Sequence, residues 1–166
     1  MNTYAKFATS YPLDDNKKVS IAKEFLERYK RQEAVSRWQE ERLKTVEDMV
    51  TIGSPSSEGE RVQASIISDP TADTAIKIIE IKEKAAGRLM EEQAHLIEIY
   101  SEITDALSLL QDESEREILY DIYIKGYMVA AAYKLWGIHP RTASRRHRQA
   151  LIALYDAMVE QAKTSA

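Results

Sequence analysis

Between Ile122 and Tyr155 the chain has no aspartate and no glutamate, yet it holds Lys125, Lys134, Arg141, Arg145, Arg146 and Arg148. The stretch therefore carries a local charge of +6 in a protein whose net charge is −4, leaving −10 on the remainder. A charge footprint acts locally, so a polyanion senses this patch rather than the whole-chain sum. Basic clusters also serve as solvated faces, but such faces usually mix both signs, and the missing acids point to a polyanionic partner. Arg141 and Arg145 stand four residues apart, on one side of any helix that contains them. Each guanidinium can donate two parallel hydrogen bonds to the acceptor edge of a guanine or to a phosphate. Thr142 and Ser144 add short hydroxyl donors, and Gln149 adds an amide.

Other chemistry is poorly served. With no cysteine, disulfides, thiol catalysis and cysteine-based zinc sites are excluded. The three histidines are His95, His139 and His147. The last two have no carboxylate close by in sequence, so a metal site is not expected, and His147 reads as a packed core residue. Glu40-Glu41 and Glu91-Glu92 fall on solvent faces of helical patterns and are not expected to act as acid–base pairs. Phosphate-cradling glycine loops and serine elbows are missing as well. No enzyme and no cofactor is predicted.

The elements that must position the arginines follow from punctuation. Tyr133 to Leu151 reads as a short apolar helix ending at Gly137, which supplies the positive φ of a tight turn. Ile138 is the buried turn residue, His139 the N-cap, and Pro140 the first helical position. Ala143, His147, Ala150, Leu151 and Leu154 recur at helical spacing and form the inner face. Arg141, Thr142, Ser144, Arg145, Arg148 and Gln149 form the outer one. This is a helix-turn-helix. In such a motif the first turns of the second helix reach base edges in the major groove of duplex DNA, whereas later positions meet the backbone. Arg141 and Arg145 are the expected base readers, Arg148 a phosphate contact, and Lys134 and Tyr127 further phosphate candidates.

Upstream, 17–50 reads as one long amphipathic helix, with Ile21, Phe25, Leu26, Tyr29, Val35, Trp38, Leu43, Val46 and Met49 on its apolar stripe. A Ser/Pro/Gly loop spans 51–68, and Asp69-Pro70 restarts a helix that runs to about Leu110. Ala86, Leu89, Gln93, Leu96, Tyr100, Ile103, Leu107 and Leu110 form a heptad-like seam on it. That seam needs a helical partner: either 17–50 folded back as an antiparallel hairpin, or a second copy in a homo-oligomer. Asp112 with Glu115 starts a third helix, closed by Gly126, and a fourth covers 128–136. The fold class is all-α: a long helical hairpin or coiled coil followed by the helix-turn-helix. The expected domains are a tail over 1–16, the long helices over 17–110, and the DNA-binding domain over 112–161. Residues 1–20 predict no signal peptide and no stretch is apolar enough to span a membrane, which predicts a soluble protein with no membrane partner.

Gly137-Ile-His-Pro-Arg-Thr-Ala-Ser-Arg-Arg-His-Arg-Gln-Ala-Leu151, preceded by Glu115-Arg-Glu-Ile-Leu-Tyr-Asp-Ile-Tyr-Ile-Lys-Gly126, resembles the last helix-turn-helix of sigma factors, which reads the −35 promoter element. It is more similar still to small regulators of phages and prophages of Gram-positive bacteria, the ArpU and RinA type. Those join a sigma-like C-terminus to a helical N-terminal half and often carry a start like Ser68-Asp-Pro-Thr-Ala72. The resemblance, over roughly 50–154, implies a sequence-specific transcription regulator of phage late genes in the cytoplasm of a bacterial host. Double-stranded DNA is its partner, with host RNA polymerase as a candidate second one. Tyr133 stands where sigma-like motifs usually have a small alanine and Ala143 where they usually have valine or isoleucine. These opposite size changes allow compensation or an altered interhelix angle. His139 replaces the usual serine cap. A DNA-packaging subunit of the small-terminase type, or a helical protein–protein adaptor, are the alternative functions for the same pattern.

Overall fold

The computed structural model describes residues 13–52 and 72–164, and among them the protein is all-α, with five helices and no strand. They are α1 (Asp15–Ile52), α2 (Ala72–Ser108), α3 (Glu113–Tyr123), α4 (Val129–Leu135) and α5 (Pro140–Thr164). Residues 1–12, most of the expected Ser/Pro/Gly loop and the Asp69-Pro70 helix start lie outside the described residues.

Helix ends form where the side chains can satisfy free backbone groups. Asp14 Oδ1 accepts from the Lys17 amide at 2.8 Å and opens α1, two residues before the expected start. Asp112 Oδ1 accepts from the Ser114 amide at 2.8 Å and the Glu115 amide at 3.3 Å and opens α3. The Ser114 hydroxyl donates to the same oxygen at 2.6 Å. These bonds hold the Asp112 carboxyl below its usual pKa, the Ser114 hydroxyl contributing most.

The chain divides into two compact units, one made of Met1–Glu33 with Leu96–Ala166 and the other of Ala34–His95. In the first, one buried cluster draws on all five helices. Phe25 and Leu26 come from α1, Ile103 and Leu107 from α2, Ile118 and Leu119 from α3, Tyr133 from α4, and Leu151, Leu154 and Met158 from α5. Each such side chain contributes about 1.5–3 kcal/mol when removed from water. The helix-turn-helix elements are thus packed on the start of α1 and the end of α2. Arg28 Nη1 meets Glu102 Oε2 at 2.8 Å, and the Tyr29 and Tyr100 rings lie 6.0 Å apart.

The second unit is a two-helix hairpin. The Ser36 hydroxyl donates to the Glu92 carbonyl at 3.2 Å, and Lys82 Nζ lies 3.2 Å from Glu47 Oε1. In both units partners on α2 fall in number as those on α1 rise, so the two helices run antiparallel, and of the two expected arrangements the intramolecular hairpin is formed.

Two details of the expected stripes are corrected. Val35 and Trp38 face water rather than the α2 side, Trp38 at 56 % exposure, while Ser36 and Gln39 occupy the buried positions. On α2, Gln93 and Tyr100 are exposed and Ala85, Ile99 and Ala106 are buried. The expected seam residues Ile103, Leu107 and Leu110 are buried and Ala86, Leu89 and Leu96 half-buried, so the burial follows most of the expected seam and extends one step around the helix to Ala85, Ile99 and Ala106. The reason is that both helices are apolar over more than one face, so periodicity alone does not select which side meets the partner.

Candidate nucleic-acid interface

The turn between α4 and α5 is fixed by backbone chemistry. The Gly137 amide donates to the Lys134 carbonyl at 3.0 Å, and the Ile138 amide donates to the Tyr133 carbonyl at 2.9 Å. Gly137 sits at φ 71°. This pair of bonds around a left-handed glycine is the Schellman ending, which satisfies the last free carbonyls of α4 and reverses the chain. His139 then caps α5: its Nδ1 accepts from the Arg141 amide at 3.2 Å, and its carbonyl accepts from the Thr142 hydroxyl at 2.8 Å. A histidine thus does the work of the serine or aspartate usual at this position. Gly126, at φ 81°, closes α3, with the Tyr127 amide donating to the Asp121 carbonyl at 2.9 Å.

Behind the interface, Tyr133 and His147 hold α3, α4 and α5 together. The Tyr123 hydroxyl and His147 Nε2 are 3.1 Å apart, and the Tyr133 ring meets the imidazole edge-on with centroids 6.3 Å apart. Tyr133 is fully buried and Ala143 nearly so. The large residue on α4 is accommodated with a small one on α5, and the imidazole packs against the Tyr133 ring. His147 is half-buried rather than fully buried. Burial, followed by the charge of Lys23, lowers its pKa from 6.5 and favours the neutral ring. Burial also pushes the Tyr123 hydroxyl up to about 12.

On the outer side, Arg141, Ser144, Arg145, Arg148 and Gln149 are exposed, as are Lys134 and Tyr127. Arg141 and Arg145 project from successive turns on the side of α5 away from Ala143 and Ala150. Two forked donors are thereby placed next to each other, as planar acceptor recognition requires. Two of the expected contact residues have intramolecular roles as well. Thr142 is half-buried, its hydroxyl committed to the cap. Arg148 Nη1 donates to Asn16 Oδ1 on α1 at 2.8 Å. Ser144 and Arg148, with Tyr127, border a groove that the arginine pair does not line.

Two members of the basic run are partly neutralised. Lys125 Nζ lies 2.7 Å from Asp121 Oδ1, an acid just outside the acid-free stretch. Arg146 faces the start of α3, where its charge acts on Asp112 and Glu115. The outward charge is therefore concentrated on Arg141, Arg145, Arg148 and Lys134.

The groove beside α5 is open, about 740 Å³, and its far wall is α1. Lys23 and Lys30 come from that wall, with Glu27 between them. Sequence reasoning missed both lysines. Their seven-residue spacing marks one face of α1, but only the packing of α1 against α5 sets that face next to Ser144 and Arg148. Among the described residues no group of three or more His, Asp and Glu is placed to hold a metal ion, and no helix is long and apolar enough to cross a membrane. No family model, curated protein or solved structure matches the chain.

Proposed function

We infer that the protein binds duplex DNA, with the first turns of α5 in the major groove and Arg141 and Arg145 reading base edges. The observation that carries this reading is the adjacent, exposed arginine pair, two turns of helix immediately after a glycine turn and a capped helix start. Rigid presentation matters because base recognition requires donors held in register with acceptor edges. Arg148 and Lys134, further from the first turn, contact phosphates, with Tyr127 beside them. Thr142 supports the helix start, and Ser144 and Gln149 complete the polar surface. The resemblance to phage and prophage regulators makes the biological role transcription regulation inside a bacterial host cell, with RNA polymerase as the second partner.

The test is a set of binding isotherms on a preferred duplex and on unrelated duplexes, at several salt concentrations. Arg141→Ala or Arg145→Ala should cost about 1–3 kcal/mol on the preferred sequence and much less on others. Arg148→Ala and Lys134→Ala should weaken all duplexes alike and reduce the salt slope by about one each. Equal losses on every sequence for Arg141→Ala and Arg145→Ala would remove the base-reading role.

A further inference from the structure

The acid-free stretch also forms one wall of the groove beside α5. Every lining residue outside α1 lies between Ile122 and Leu151, so that wall holds no carboxylate. The other wall is α1, whose Val19, Lys23, Glu27 and Lys30 follow at steps of four, four and three and share one side of the helix. The charged carboxylate and basic groups of the groove are thus Lys23, Lys30 and Arg148 against Glu27, a net charge of +2.

Two other cations on this part of α1 meet acids from other helices. Lys18 Nζ lies 2.8 Å from Asp156 Oδ1 on α5, and Arg28 Nη1 lies 2.8 Å from Glu102 Oε2 on α2. The wall opposite Lys23 and Lys30 offers them no such acid. Lys23 Nζ is 3.6 Å from Glu27 Oε1, one turn along the same helix, with both side chains about half exposed. An exposed pair of this kind contributes little and yields to a stronger anion. Lys30 Nζ lies 6.0 Å from the centre of the Tyr123 ring, which keeps the ammonium along the groove. Both lysines are carried with α5, because Asn16, one heptad before Lys23, accepts from Arg148 Nη1 at 2.8 Å.

We propose that Lys23 and Lys30 are phosphate contacts: the groove between α1 and α5 takes the sugar-phosphate backbone of the same duplex whose bases meet Arg141 and Arg145. This rests on the duplex-DNA reading above, and it makes α1, outside the DNA-binding domain expected over 112–161, part of the interface. The occupant is a DNA strand because the groove is continuous with the base-reading face. Ser144 and Arg148 line it, each three residues after one of the two arginines and so on a neighbouring turn of the same helix. Lys23 and Lys30 stand about 10 Å apart along α1, and a strand presents a charge about every 3.4 Å of duplex axis, so one strand can meet both.

The test measures binding isotherms of the full chain on an enriched and a scrambled duplex at several salt concentrations. Lys23→Gln and Lys30→Gln should each make the slope of log affinity against log salt shallower by about 0.9, equally on both duplexes. Glu27→Gln removes the acid of the groove and should tighten both duplexes several-fold, a gain that misfolding cannot imitate. Lys44→Gln, on α1 in the other unit, makes the same change in net charge and should leave the slope as it is. Lysine variants of the groove with a wild-type slope overturn the proposal, as does Lys44→Gln with an equal loss or Glu27→Gln with no gain. If Arg148→Ala and Lys134→Ala reduce the slope while Lys23→Gln and Lys30→Gln do not, only the α1 contacts are removed. A wild type without affinity for duplex DNA removes the DNA reading together with them.

Discussion

Replacing Gly137 with alanine adds a Cβ to a residue held at φ 71°, in the turn that aims α5. The added atom would meet no side chain or backbone within 4 Å, so no steric clash with neighbours contributes. What remains is the conformational cost of a left-handed L-residue, about 1–2 kcal/mol. Restriction of the unfolded chain does not offset it, because that gain is realised only where the native φ suits alanine. The chain can escape the strain only by giving up the bonds from the Gly137 amide to Lys134 and from the Ile138 amide to Tyr133, each worth about 1 kcal/mol net. The expected loss for Gly137→Ala is therefore about 1–2 kcal/mol in urea unfolding followed by tryptophan fluorescence, Trp136 adjoining the turn. Gly137→Asn should lose clearly less, since asparagine tolerates the left-handed region. Alanine equal to wild type, or asparagine as costly as alanine, would refute the claim that a left-handed residue fixes this turn.

Other perturbations have equally definite outcomes. Tyr133 Oη is buried with no hydrogen-bond partner among the described residues, so Tyr133→Phe should raise stability by about 1 kcal/mol in the same unfolding assay. Asp112→Ala removes the cap of α3 and should cost about 1 kcal/mol, whereas Asp112→Asn should retain most of it. His147 has a folded pKa below 6.5, so the unfolded chain binds the extra proton first. Its contribution is present in full above pH 6.5 and is lost as pH falls below that value toward the folded pKa. Urea midpoints should drop over that window in the wild type and lose this component of the slope in His147→Gln.

The parts of the fold visible in the sequence are those set by local chemistry. Asp112, Gly126, Gly137 and the His139-Pro140 pair mark helix ends because capping and positive φ involve only a few neighbouring residues. The ends found there fall within two residues of the expected ones. The inner face of α5 was visible for a similar reason: a helix packed on one side has a single apolar stripe, and Ala143, Ala150, Leu151 and Leu154 are all buried.

What depends on pairing between distant segments was not visible. Trp38 and Val35 carry the helical period of α1 yet face water, because two long helices with broad apolar surfaces can meet in several rotations. Lys23 and Lys30 gain their place beside α5 only through contacts more than a hundred residues away along the chain. The charge count likewise overstated the basic patch, since Lys125 is matched by Asp121 and Arg146 faces the acids at the start of α3.

The most direct measurement selects bound duplexes from a random-sequence pool with the full-length protein and then measures affinity for the enriched and the scrambled sequence at two salt concentrations. Recognition by the first turns of α5 predicts a defined enriched motif, bound about 10³-fold or more tightly than the scrambled duplex, with affinity falling steeply as salt rises. A pool that enriches no motif, or binding that is insensitive to salt, would contradict it.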